Sequence, residues 1–233
     1  LLRSPEGSAV LVDTGPSYGA PVLPALRRAG VRRIALVAVT HDQDDHAGGL
    51  AAVLDRHDVG LVVHPPLGPD VAGLRRTLAA ARARGVEVRE VAAGARIRAG
   101  RWLLRVVGPR GPPPPGADPN PFSLVVLASA GSLDALLPAD AESPALQGAD
   151  LPPVEVLKVA HHGSSDPGLR ALLARIRPSV ALVSVGTANR YGHPAPETLA
   201  ALRAGGAREW RTDRDGDVTV SGTAGALAVE AEG

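Results

Sequence analysis

Short runs of Val, Leu and Ile alternate along the chain with Ala/Leu/Arg-rich helical patterns, and the polar residues of ligand type collect where the apolar runs stop. "SAVLVDTG", "RRIALVAVT", "VGLVVHP", "SLVVLAS", "VEVLKVAHHG" and "PSVALVSVG" read as strands, and "VAGLRRTLAAARARG", "PGLRALLARI" and "PETLAALRAG" as helices. In the first of these helices Leu74 and Leu78 lie one turn apart, and Gly85 marks its stop. Mixed strands and helices in both halves predict a layered α/β sandwich. The stretch "GPRGPPPPGADPNP" interrupts the pattern and reads as a loop within one domain spanning residues 1–233.

Composition narrows the chemistry. A length of 233 residues at 45% hydrophobic content suits one core, and no apolar run reaches the length of a membrane span. Cysteine is absent, so any metal must be held by His, carboxylate or amide oxygen. A formal net charge of +1 gives no broad footprint for nucleic acid, and at 2% aromatic content, sequence-specific base reading through stacking is not expected. The chain has no Met and opens close to its first strand, as expected of a fragment of something longer.

Asp13, the loop His41–His46, Asp140, His161 with His162, and His193 all follow the C-terminal end of an apolar run, where layered folds build sites. Taken singly, Asp13 reads as a turn residue and Asp140 as a helix N-cap. "RTDRDGDV" reads as a hairpin turn, since it lacks the ligand spacing of a calcium loop. His57 and His64 read as ordinary surface or partly buried histidines. The loop "HDQDDH" resists such readings. Asp42, Asp44 and Asp45 repel one another on one short segment unless a cation is present, and neutral imidazoles with ionised carboxylates suit a divalent metal.

The motifs "VLVDTG", "THDQDDHAGGL", "LLPADAE", "VLKVAHHGSS" and "VSVGTANRYGHP" occur in the order seen in the metallo-β-lactamase fold superfamily, which the chain resembles over essentially its whole length. With "NPFSLVV" and "RTDRDGDV", it resembles most the C-terminal domain of the ComEC family of DNA-uptake channels. The resemblance implies a four-layer αββα sandwich trimmed at its N-terminal edge. It implies that Asp13 orients the histidine loop, that His41 is a metal-1 ligand, that Asp45 and His46 belong to metal 2, and that Asp140 bridges both metals. One of His161 and His162 matches the late metal-2 histidine, its neighbour facing substrate. Asn189, Tyr191 and His193 match a substrate-side loop, and Ser164 a phosphate contact.

Two departures shape the expected cofactor. Gln43 stands where the ComEC branch has Asp, with Asp42 and Asp44 left to face solvent or cap the next helix. The superfamily's histidine between the loop and the bridging Asp has its better positional match in Asn120, His64 lying too early. One ion is therefore expected to bind firmly and a second weakly, with Mn²⁺ or Mg²⁺ favoured and Zn²⁺ as the alternative.

The expectation is a metal-dependent phosphodiesterase that degrades the non-imported DNA strand at the extracytoplasmic face, tethered to a transmembrane channel of the same protein. An imidazole of "HHGS", or His193, would protonate the leaving group. Two rivals remain: another hydrolase of this fold, of lactonase or phosphorylcholine-esterase type, and a catalytically silent domain that positions DNA or a partner.

Overall fold

The computed structural model describes residues 1–232. The chain divides into two compact units, Leu1–Leu124 and Val125–Gly233.

In the first unit, β1 (Leu2–Arg3) and β2 (Ala9–Val12) lead into α1 (Val22–Arg28), β3 (Arg33–Ile34) and β4 (Leu36–Ala38). The ligand-rich loop then forms a single turn, α2 (Asp44–Ala47), followed by α3 (Leu50–Arg56), β5 (Asp58–Val59), β6 (Leu61–His64), α4 (Ala72–Ala83) and β7 (Glu87–Glu90). The sheet runs β1-β2-β4-β6-β7, with β2, β4, β6 and β7 parallel. Parallel strands covered on both faces need continuous apolar sequence, and every residue of β4 is buried. Leu11, Val37 and Val62 share one core with Leu26 of α1, Leu50 and Val53 of α3, and Leu74 and Leu78 of α4. Gly85 ends α4 at φ +80°, as its position predicts.

Parallel pairing brings the C-terminal ends of β2, β4 and β6 to one edge. There the amide of Asp13 donates to the carbonyl of Ala38 at 2.8 Å, and the amide of Val39 to that of Val63 at 2.9 Å. The unit closes with a hairpin, β8 (Arg96–Ala99) and β9 (Trp102–Gly108), and then the proline-rich loop, which ends in a 3₁₀ turn at Asn120–Phe122. The Leu124 amide ties the end of this loop to the carbonyl of Thr40 at 2.8 Å.

The second unit holds β10 (Val125–Ala130), β11 (Leu133–Leu137), β12 (Val156–Lys158), α5 (Leu169–Ile176), β13 (Val180–Val183), α6 (Pro196–Ala204) and β14 (Arg208–Arg211). Its strands lie in the order β14-β13-β12-β11-β10, and β11 to β14 are parallel. The segments after β11, β12 and β13 therefore emerge at one edge, and they carry Asp140, His161 with His162, and Ser184.

"RTDRDGDV" does not form the expected hairpin turn. It makes a short helical turn, α7 (Thr212–Asp215), because Thr212 Oγ bonds the Val185 backbone and the Arg211 guanidinium pairs with Asp213 at 2.6 Å. The hairpin lies just beyond, as β15 (Val218–Thr223) and β16 (Ala226–Ala231), whose Val220, Leu227 and Val229 pack with Leu133, Leu182 and Trp210 against the buried Ala135, Val156 and Val180.

Candidate functional site

In the first unit the histidine loop is wired through Asp13. Its Oδ1 accepts from the Thr40 amide at 2.8 Å, and its Oδ2 accepts from Thr40 Oγ1 at 2.8 Å and from His46 Nδ1 at 2.7 Å. Thr40 Oγ1 also lies 3.0 Å from His41 Nδ1. A carboxylate has no proton to give, so the single hydroxyl proton of Thr40 goes to Asp13, and Thr40 must accept from His41 Nδ1–H. Both imidazoles are thereby set in one tautomer, with Nδ1 protonated and the Nε2 lone pair left for a ligand. His41 and His46 are each 3% exposed, and their ring centroids are 4.2 Å apart. Their donor atoms lie within 4.8 Å of each other, as do those of Asp45 and His46. Such a set of neutral imidazole and carboxylate donors fits a divalent ion.

In the second unit Asp140 is 2% exposed, and its Oδ2 stands 3.7 Å from His161 Nε2 and 3.8 Å from His162 Nε2. Those separations exceed a hydrogen bond and match two donors each about 2 Å from one cation. His162 Nδ1 donates to the Ser184 carbonyl at 2.8 Å, while His161 Nδ1 faces Glu142 Oε1 at 3.1 Å. The ring of His193 lies 5.8 Å from that of His161. Burial pushes the His193 imidazole below its ordinary range, and the neighbouring His161 and His162 add to this against the pull of Asp140 and Glu142.

The backbone at these points is held off its usual ground. Of six non-glycine residues with positive φ, four adjoin or carry these groups: Asp13 at +59°, Ala139 at +54°, His161 at +46° and His162 at +53°. Strain that gathers on ligand-type residues marks a site that the rest of the fold pays for.

A family model of the metallo-β-lactamase superfamily matches residues 1–187. The chain belongs to that superfamily. Its metallo-β-lactamase fold accounts for the parallel strands ending in His and Asp. The chain is 31% identical over 207 residues to ComE operon protein 3 of Bacillus subtilis, covering 87% of this chain and 26% of that protein. It is 29% identical over 219 residues to competence protein ComA of Neisseria gonorrhoeae, covering 89% and 28%. The chain thus spans about a quarter of the length of these relatives. Among solved structures it is similar to CmlA, a diiron β-hydroxylase from Streptomyces venezuelae, with TM-score 0.53 and 17% identity over 77% of this chain and 44% of that one, a likeness of fold. The superfamily and the donor sets together indicate binding of divalent metal.

Other expected site residues take less direct places in this superfamily member. Ser164 donates its hydroxyl proton to Glu142 Oε1 at 2.6 Å, so it has none to offer a phosphate. Asn189 is occupied in shaping its loop, its Nδ2 donating to the His193 carbonyl at 2.9 Å and its Oδ1 accepting from the Tyr191 amide at 2.7 Å. Tyr191 is exposed and stacks on His193, with centroids 6.0 Å apart. Asn120 Oδ1 is buried and accepts no hydrogen bond among the described residues. Gln43 is the N-cap residue of α2, and its side chain makes no capping bond.

Two expectations about acids and one about a histidine need correction. Asp42 does not face open solvent, and the helix end it serves is that of α4, where it accepts from the first-turn Leu74 amide. It borders a groove with Pro113 and Pro119, where burial raises its carboxyl against the opposing Leu74 amide and Arg76 charge. Asp140 is not the N-cap of the turn that follows it, since the 3₁₀ turn at Ser143–Leu146 has Glu142 as its N-cap residue. His64 is fully buried at 3% exposure, donating from Nδ1 to the Pro65 carbonyl at 2.8 Å.

Thr40 and Glu142, which set the histidines, stand outside the residues that the motifs single out. Their signal was adjacency: Thr40 precedes His41, and Glu142 follows Asp140 by two.

Proposed function

We propose that this chain is the metal-dependent phosphodiesterase domain of a competence-type DNA-uptake protein, acting outside the membrane on the strand that is not imported. The reading rests on one observation above others, the Asp13–Thr40 relay that leaves Nε2 of both His41 and His46 as electron-pair donors. Metal ligands in this reading are His41, Asp45 and His46 on the first unit and Asp140 and His162 on the second, with Mn²⁺ or Mg²⁺ favoured. Bound ions would lower the pKa of water and offset phosphate charge. His162, anchored on a carbonyl, is the ligand of the histidine pair. His161, backed by the Glu142 carboxylate, carries the proton delivered to the leaving oxygen. His193, kept neutral, accepts a proton on the same side. The match to competence proteins supports DNA as the substrate and a tether to a membrane channel, although among the described residues no helix is long and apolar enough to cross a membrane.

A cleavage assay on single- and double-stranded DNA across Mn²⁺, Mg²⁺ and Zn²⁺ tests this. Cleavage that a chelator abolishes is expected. Turnover of small phosphodiesters or lactones but not DNA would shift the reading to a different hydrolase of this fold. Undiminished DNA binding in chelator with no cleavage under any ion would make it a positioning domain.

A further inference from the structure

The loop after β2 carries a side chain that the proposed chemistry does not use. Tyr18 is 88% exposed, and Tyr191, the chain's other tyrosine, is 85% exposed. The remaining aromatics, Trp102, Phe122 and Trp210, are buried or half-buried. Aromatic rings are the largest apolar side chains a core can use. In a chain with only 2% of them, both exposed rings stand on loops beside the ligand-type clusters.

Tyr18 is also held. The Thr14 amide and hydroxyl donate to the His46 carbonyl at 2.8 and 3.0 Å, the Gly49 amide donates to the Gly15 carbonyl at 2.8 Å, and the Ser17 amide donates to Asp44 Oδ1 at 3.3 Å. The pair Gly48–Gly49 makes this approach possible. A Cβ at Gly48 would stand 2.4 Å from the Ser17 nitrogen, and one at Gly49 2.3 Å from the Thr14 oxygen. Residues 14–17 therefore lie in backbone contact with the segment bearing Asp45 and His46. Tyr18 follows one Cα step, about 3.8 Å, beyond Ser17.

We propose that Tyr18 is a stacking platform for a base of a single DNA strand whose phosphate is held at the His41–His46 loop, an inference that rests on the phosphodiesterase reading. Stacking tolerates any base, since each has a π-face. A chain of net charge +1 gains little from general attraction to phosphate, so a discrete contact of this kind is what would hold the strand.

The test pairs two oligonucleotides, one with bases and one built of abasic residues, with the wild type, Tyr18→Ala and Tyr18→Phe. The Ala variant is expected to raise KM for the base-bearing strand by roughly 5- to 150-fold. Phe should stay within about twofold of wild type, and the preference for the base-bearing strand should shrink only in the Ala variant. In chelator, the indole of Tyr18→Trp should be quenched by the base-bearing strand and not by the abasic one. A preference unchanged in Tyr18→Ala, or an unquenched indole on a strand the protein binds, overturns the platform while hydrolysis stands. Quenching without cleavage under any ion overturns hydrolysis and leaves the platform. A protein that binds no strand overturns both.

Discussion

Replacing Asp13 by Asn should separate stability from metal binding. Asn keeps the size of the side chain and tolerates the left-handed backbone at φ +59°. Its amide can still satisfy every partner, but only by reversing the protons. Oδ1 accepts from the Thr40 amide, and the two Nδ2 hydrogens point at Thr40 Oγ1 and His46 Nδ1. His46 then switches to the tautomer with the proton on Nε2, which cannot ligate, and His41 follows when the Thr40 hydroxyl proton, turned away from residue 13, goes to its Nδ1. Restoring the ligating tautomer sets N–H against N–H at His46. What stability loses is charge assistance on three bonds, about 1 kcal/mol each from the gap between charged and neutral hydrogen bonds, hence about 2–4 kcal/mol in chelator. Metal affinity should fall by roughly 100-fold, the upper end for a residue that orients ligands. Urea denaturation in chelator and calorimetric Mn²⁺ titration measure the two effects, and ¹⁵N chemical shifts of the imidazoles in the metal-free protein report the tautomers. Asp13→Ala, which loses all three bonds and adds left-handed strain of about 1–2 kcal/mol, should be the less stable variant. An Asp13→Asn protein that binds metal within about twofold of wild type, or rings that keep Nδ1–H, would refute the relay.

Asp140→Asn removes charge from a carboxylate that is 2% exposed and faces both His161 and His162, and DNA cleavage should drop roughly a hundredfold or more with the fold intact by circular dichroism. Gln43→Asp should lower the Mn²⁺ concentration for half-maximal cleavage, because it adds an anion within reach of the His41 side; equal affinity in both forms, with a more stable α2 in chelator, would show that the new carboxylate caps the helix instead. Burial holds His64 below its ordinary 6.5, so the unfolded chain takes up the proton first: stability is full above 6.5 and declines as pH falls through the lower folded value. His64→Gln, which can still donate to the Pro65 carbonyl, should flatten that decline in urea melts between about pH 7 and 5, and an unchanged slope would exonerate His64.

Much of this protein is written locally. The apolar runs that become β2, β4 and β6, the Leu74–Leu78 stripe of α4 and the Gly85 stop depend on neighbours within a few residues, so periodicity and turn chemistry reveal them. The crowding of Asp42, Asp44 and Asp45 beside His41 and His46 is equally local, and the repulsion among the three carboxylates points to a cation. What no local pattern carries is the proton order of the site. Asp13 and His46 are 33 residues apart, and His161 and Glu142 19 apart, yet each pair shares a hydrogen bond because parallel strands bring their ends to one edge. The same pairing buries His64, turns Asp42 toward the proline loop, and lays residues 14–17 on Gly48 and Gly49. Residue type sets which atoms can ligate a metal, but strand register decides which of them hold a lone pair, since a tautomer is fixed by its hydrogen-bond partner and that partner lies far away along the chain.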